Sequence, residues 1–99
     1  MADKTIQVVA RIIAQASKLE EVKARLFGLL EPTRAEKGCI RYELFQSSAD
    51  PSEFVFIEEW ASDFAITAHL GSDHVQEAFL GAENLLAAPP DVRRYYLLA

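Results

Sequence analysis

Glu53-Phe54-Val55-Phe56-Ile57-Glu58-Glu59-Trp60-Ala61-Ser62-Asp63-Phe64-Ala65-Ile66-Thr67-Ala68-His69-Leu70 reads as a strand that turns directly into a helix. Successive strand side chains point to opposite faces, so Phe54, Phe56, Glu58 and Trp60 share one face, and Val55, Ile57 and Glu59 the other. Ser62 is placed to cap the helix, Asp63 to meet its positive end, and Gly71 to stop it. A carboxylate and the only tryptophan thus lie two residues apart on one strand face, and a histidine follows in the next helix. Part of any site is expected here.

Outward from this stretch, Cys39 to Ser47 is a second strand, with Ile40, Tyr42 and Leu44 on one face and Arg41, Glu43 and Phe45 on the other. Pro51 presets the turn that folds the two strands into a hairpin. Downstream, a second cap at Ser72 opens a helix whose apolar stripe is Val75, Ala78, Phe79, Ala82, Leu85 and Leu86. Pro89-Pro90 ends that helix, and Val92 to Leu98 is the last strand. On the N-terminal side, residues 5–14 alternate as a strand, with Ile6, Val8, Ala10 and Ile12 on one face. Ser17-Lys18-Leu19-Glu20 has capping-box spacing, and Leu19, Val22, Leu26, Leu29 and Leu30 form the stripe of the helix that follows. Pro32 is expected to break it near Leu30, with one more turn over Thr33 to Glu36 closed by Gly38.

The order β-α-β-β-α(α)-β predicts an α+β fold: a ferredoxin-like split βαβ with a four-stranded antiparallel sheet and helices on one face. Ninety-nine residues fit a single domain over 1–99. Several strands, however, are apolar on both faces: Phe54 and Phe56 back onto Val55 and Ile57, Ile12 onto Val9 and Ile13, and Tyr96 and Leu98 onto Tyr95 and Leu97. Helices cover one face only, so a homodimer built by sheet-on-sheet packing is expected to cover the other.

Composition removes several function classes. No apolar run approaches the roughly 20 residues a bilayer helix needs, and Met1-Ala2-Asp3-Lys4 opens no leader pattern, so no membrane partner is expected. A single cysteine, Cys39, makes neither an intrachain disulfide nor a Cys-x-x-Cys zinc site, which fits a reducing, cytoplasmic setting. The net charge of −5 opposes nucleic-acid binding; the one adjacent basic pair, Arg93-Arg94, reads as a strand flank. The four glycines stand alone, so the sequence holds neither a dinucleotide nor a triphosphate loop, and no Gly-x-Ser-x-Gly elbow.

His69 and His74 are the only histidines. Five apart across Gly71, they lack the i, i+4 spacing of two metal ligands on one helical face, and no metal site is expected unless distant carboxylates join them. Each is either an acid/base group suited to neutral pH or a helix-end or surface residue. Trp60 is either core or the wall of a pocket mouth. One of Glu58 and Glu59 must point inward; pairing with Arg41 or Arg94 is expected there, the alternative being a carboxylate whose pKa burial has raised. Tyr42, Tyr95 and Tyr96, on strands, suit an interface or a pocket wall.

Three segments taken together resemble the antibiotic biosynthesis monooxygenase family: Pro32-Thr33-Arg34-Ala35-Glu36-Lys37-Gly38-Cys39-Ile40-Arg41-Tyr42-Glu43-Leu44, Phe54-Val55-Phe56-Ile57-Glu58-Glu59-Trp60-Ala61-Ser62, and Ala68-His69-Leu70-Gly71-Ser72-Asp73-His74-Val75. The resemblance implies a dimeric α+β barrel with a pocket between sheet and helices in each subunit. It also implies oxidation of a small aromatic or quinol-like substrate by O2 with no cofactor. Carried onto this chain, it makes His69 the candidate base and Glu58 a second catalytic candidate, with Trp60, Tyr42, His74 and Phe79 as substrate-binding candidates. The first strand offers Thr5, Gln7 and Val9 where the haem-degrading branch has asparagine, so haem degradation is not implied. The alternative function is a dimeric barrel that binds or isomerises a small metabolite without oxygenase activity.

Overall fold

A computed structural model describes residues 4–99; the rest of the N-terminal stretch read as lacking a leader, residues 1–3, lies outside the described residues. Strand β1 (Ile6–Ile13) leads through a 3₁₀ turn at Ala16–Lys18 into α1 (Leu19–Phe27) and α2 (Leu30–Arg34). The hairpin of β2 (Cys39–Gln46) and β3 (Glu53–Trp60) follows, then α3 (Asp63–Leu70), α4 (Asp73–Ala78), a 3₁₀ turn at Ala82–Asn84, and β4 (Asp91–Tyr95). The strands form one sheet in the order β2-β3-β1-β4, every pair antiparallel. This is the expected ferredoxin-like α+β arrangement.

β3 is flanked on both sides and sets the core. Its burial alternates strictly, so Phe54, Phe56, Glu58 and Trp60 point inward, Trp60 with 0 % of its surface exposed. β1 repeats the alternation with Ile6, Val8, Ala10 and Ile12. The stripe of α1 and α2 lands on this face through Val22, Leu26 and Leu29, all buried. Burying each such side chain contributes roughly 1.5–3 kcal/mol, which fixes the register, since a slip by one residue would turn every one of them outward.

The helix after β3 begins as its sequence dictates: the Ser62 hydroxyl accepts from the Ala65 N–H at 3.1 Å, and Ser72 caps α4 in the same way through Val75. Five local expectations are corrected. The Ser17 capping box does not form, because the 3₁₀ turn starts earlier and leaves Lys18 as the cap with no side-chain bond. The break after α1 falls at Gly28 and Leu29, and Pro32 sits in the first turn of α2, where its missing N–H costs nothing. The helix opened at Ser72 stops at Ala78, short of Leu86: Gly81 takes φ +72°, and the Arg25 guanidinium satisfies the Leu80 carbonyl at 2.8 Å. Leu85 and Leu86 still reach the core from the turn that follows. The last strand ends at Tyr95, which pairs with Gln7 near the start of β1, so residues 96–98 have no ladder partner among the described residues. Ile40, read on the same face of β2 as Tyr42, is exposed while Tyr42 is buried, because the register shifts between Cys39 and Arg41.

Candidate active site

Between the sheet and the helices lies a cavity of about 150 Å³. Val8, Ala10 and Ile12 of β1, Tyr42 of β2, and Phe56 and Glu58 of β3 form its sheet side; Leu29, Ile66, His69, Leu70, Val75 and Phe79 form its helical side, with Pro90 and Val92 completing it. Of the six residues singled out from the sequence, Glu58, His69, Tyr42 and Phe79 line this cavity directly. Trp60 stands behind Glu58, and His74 behind His69, neither on the cavity wall.

Glu58 is held in place by two ladders, opposite Val8 of β1 and Tyr42 of β2. Only 3 % of it is exposed, and no arginine reaches it. Arg41 instead meets Glu43 at 3.8 Å and Arg94 meets Asp63 at 2.8 Å, so the ion pair expected for the inward glutamate is replaced by one hydrogen bond. The Trp60 indole N–H donates to Glu58 Oε1 at 2.8 Å. Burial pushes the Glu58 carboxyl up to about 7, the indole bond opposing this in part and the charge of Glu36 adding to it. The outward Glu59 accepts from the Thr5 hydroxyl at 2.6 Å.

His69, in the last turn of α3, is 4 % exposed. Its ring lies 4.8 Å from that of Trp60 and 5.5 Å edge-on from that of Tyr42, which in turn stacks on Phe56 at 4.6 Å. Burial lowers the His69 pKa, and the neighbouring Glu36 works against that shift. Burial also drives the Tyr42 hydroxyl far above its ordinary pKa, so Tyr42 stays neutral.

Sequence reading did not single out Glu36. Its Oε2 lies 2.6 Å from His69 Nδ1 and 2.8 Å from His74 Nε2, joining two histidines that spacing alone had kept apart. A carboxylate oxygen only accepts, so both nitrogens donate to it, and His69 keeps Nε2 as its acceptor. Ser72, the cap of α4, donates to the His69 carbonyl at 2.6 Å and stands 3.3 Å from His74 Nε2, fixing the turn that carries both rings. Glu36 itself is set by Gly38, whose φ of +90° closes the loop and whose missing Cβ would meet the Ala65 Cβ at 2.7 Å. A glycine two residues after an acidic side chain was the available signal, but no spacing rule links it to a helix 33 residues later.

Glu36, His69 and His74 also present three metal-type donors within 4.8 Å of one another. Ligands about 2.1 Å from a tetrahedral ion stand roughly 3.4 Å apart. The contacts of 2.6 and 2.8 Å to a single carboxylate oxygen are instead those of a twice-accepting hydrogen-bond acceptor. Chemically, the arrangement is a neutral imidazole, oriented from behind by a carboxylate, beside a second carboxyl group that is half protonated near neutrality.

Residues 5–79 match the family model described as antibiotic biosynthesis monooxygenase. The chain is 31% identical over 94 residues to uncharacterized protein sll1783 of Synechocystis, covering 95% of this chain and 64% of that one; it thus spans less than two-thirds of that relative's length. It is 33% identical over 89 residues to the Bacillus subtilis protein named "Putative monooxygenase YcnE", covering 90% of this chain and 94% of that one. The crystal structure of PA3566 from Pseudomonas aeruginosa superposes with a TM-score of 0.93 at 31% identity, covering 100% of this chain and 99% of the other. Among the described residues no helix is long and apolar enough to cross a membrane.

Proposed function

The chain belongs to the antibiotic biosynthesis monooxygenase family, and from that premise we propose that it oxidises a small phenolic or quinol-type molecule with O2, with His69 as the base. One observation carries the assignment: an imidazole that lines an apolar cavity while its Nδ1 is held 2.6 Å from a carboxylate. Glu36 fixes the tautomer in which Nε2 accepts, and it stabilises the imidazolium formed when Nε2 takes the phenolic proton. Protonated Glu58, its Oε1 occupied by the Trp60 indole, offers its other oxygen as a donor to the developing phenolate.

In this proposal the substrate supplies the electrons, and no flavin or metal is drawn on. The phenolate gives one electron to O2, and the resulting carbon-centred radical and superoxide combine at a ring carbon. Uptake of the proton held by His69 and loss of water then leave a quinone. One phenol and one O2 thus become one quinone and one water: the O–O bond, the phenolic O–H and the C–H of the oxygenated carbon are broken, and their two hydrogens leave in the water. The apolar walls of the cavity limit the water that reaches the radical pair.

The second face of the sheet completes the proposal. Val9, Val55 and Ile57 are half-buried there, and Phe45 and Tyr95 remain 51 % and 47 % exposed. A second copy packed on this face would cover them. Sedimentation is expected to give a dimer at micromolar concentration; a monomer would overturn this part.

Oxygen consumption by chelator-treated, flavin-free protein with a panel of hydroquinones tests the reaction. Uptake above autoxidation is expected, and His69→Ala should lower it by about 10²–10⁴-fold, the usual worth of a positioned base. Uptake that survives His69→Ala would remove the base assignment. No uptake across the panel would turn the reading to a metabolite-binding or isomerase-type barrel.

A further inference from the structure

The cavity's size and wall chemistry narrow what enters it, and the inference rests on reading this cavity as the substrate site. We propose that it admits neutral single-ring phenols and hydroquinones, and excludes both fused two-ring analogues and carboxylated ones. Its volume is about 150 Å³. An apolar protein cavity of about 150 Å³ is one that accommodates benzene. A second fused ring has either to displace the inner walls or to protrude past the exposed rim at Leu70, Pro90 and Val92, and the sheet side offers little movement: Val8 and Phe56 belong to strands paired on both sides, and each is at most 2 % exposed.

Three of the lining residues carry polar side-chain atoms, Tyr42, Glu58 and His69, and the other walls are apolar. An occupant therefore needs an apolar ring with hydroxyl groups toward these three. No lysine or arginine lines the cavity. A ligand carboxylate would enter already ionised and lose its water with no lysine or arginine to meet it, whereas a phenol enters neutral and gives up its proton to His69 only once bound.

Phe79 sets the limit on length. Its side chain lines this cavity and also a smaller void beside Val22, Leu26 and Leu85. It is the residue the two linings share, so trimming it enlarges the site on that side by about the volume of its own ring.

The test uses the only indole of the protein. The N–H of Trp60 donates to Glu58, whose carboxyl group faces the cavity, so its ¹⁵N–¹H resonance reports an occupant without any turnover. Full-length labelled protein would be titrated anaerobically with phenol, hydroquinone, benzoate and 1-naphthol. Phenol and hydroquinone should shift the resonance saturably; benzoate should not, and 1-naphthol should bind more weakly than phenol by roughly tenfold or more. In Phe79→Ala, or in Phe79→Leu should the alanine variant lose its dispersed spectrum, 1-naphthol should gain on phenol by a similar factor. Equal binding of phenol and 1-naphthol to the natural protein, binding of benzoate, or no shift with phenol would each overturn the proposal. Phenol binding without oxygen uptake would overturn the oxygenase reading and leave the size limit standing. Oxygen uptake on two-ring hydroquinones alone would do the reverse.

Discussion

Glu58 and Glu36 are carboxylates of one site, placed by opposite means. Glu58 is carried by a strand, and its direction follows from the period of two and from neighbours on both sides, Val8 and Tyr42. Glu36 is carried by a loop, and its direction follows from Gly38 lying against Ala65 of the helix that bears His69. Their surroundings differ in the same way. Glu58 has one donor, an indole, and burial dominates, so its carboxyl group rises to about 7. Glu36 has two imidazole donors within 2.8 Å and serves as the acceptor that orders them. The same side chain thus becomes a proton-holding group in one place and a positioning group in the other, according to how many donors reach it and how much water is removed.

The largest effect expected from this contrast is at Glu58. Its carboxyl group moves from an ordinary 4.5 to about 7 on folding, so between those values the folded protein holds a proton that the unfolded chain has released. The stability this supplies is complete below about 4.5 and is lost as pH rises through 7. It amounts to about 3 kcal/mol, at 1.36 kcal/mol per pKa unit. His69 acts with the opposite sign: burial keeps it neutral in the fold, so stability falls as pH drops through about 6.5, where the unfolded ring gains its proton. Glu58→Gln removes the first contribution and leaves the second. Urea unfolding from pH 4.5 to 8 should therefore show natural protein losing stability relative to Glu58→Gln as pH rises. A parallel pair of curves would mean that Glu58 is already ionised in the fold. The same variant should flatten the alkaline limb of turnover near pH 7, because an amide still donates where the carboxyl group has ionised.

Glu36→Gln comes next. Glutamine keeps one acceptor oxygen with two lone pairs but carries no negative charge, so it can still meet both N–H groups yet cannot stabilise the His69 imidazolium formed in turnover. Turnover should fall by about 10- to 100-fold, the range typical of groups that orient another catalytic side chain, with KM little changed. Glu36→Asp should recover part of the loss. The imidazole ¹⁵N shifts of His69 give a readout that simple destabilisation does not move, since they report which nitrogen carries the proton. Unchanged shifts and unchanged turnover would leave Glu36 as a structural residue only.

What was legible in the sequence follows the same division. The faces of β1 and β3, the cap at Ser62 and the grouping of Glu58 with Phe54, Phe56 and Trp60 on one face all come from short-range period. The misplaced features depend on contacts made across the chain. Arg25 of α1 satisfies the carbonyls that end the segment after α4, and the first residues of β1 decide where β4 stops. The fate of the inward glutamate was open for the same reason. Charge alone favoured Arg41 or Arg94, but both reach closer acids, Glu43 and Asp63, without entering the core.

Gly38 offers the finest cut between the two carboxylates. Gly38 and Gly81 both have positive φ, +90° and +72°, yet a Cβ at Gly38 meets Ala65 at 2.7 Å, whereas nothing lies within 4 Å of one at Gly81. Gly81→Ala therefore carries backbone strain alone, about 1 kcal/mol after the entropy removed from the unfolded chain is counted. Gly38→Ala adds a collision with α3 and should cost about 2 kcal/mol or more. The collision separates the loop of Glu36 from the helix of His69 and does not touch the ladders that hold Glu58. Turnover should accordingly fall in Gly38→Ala beyond what its lower stability explains, with the Trp60 indole resonance shifted far less than by Glu58→Gln, since only the His69 ring 4.8 Å away moves beside it, while Gly81→Ala keeps its turnover. If Gly38→Ala shifted the indole resonance as strongly as it lowered turnover, the two carboxylates would answer to one support, and the division between ladder and loop would be wrong.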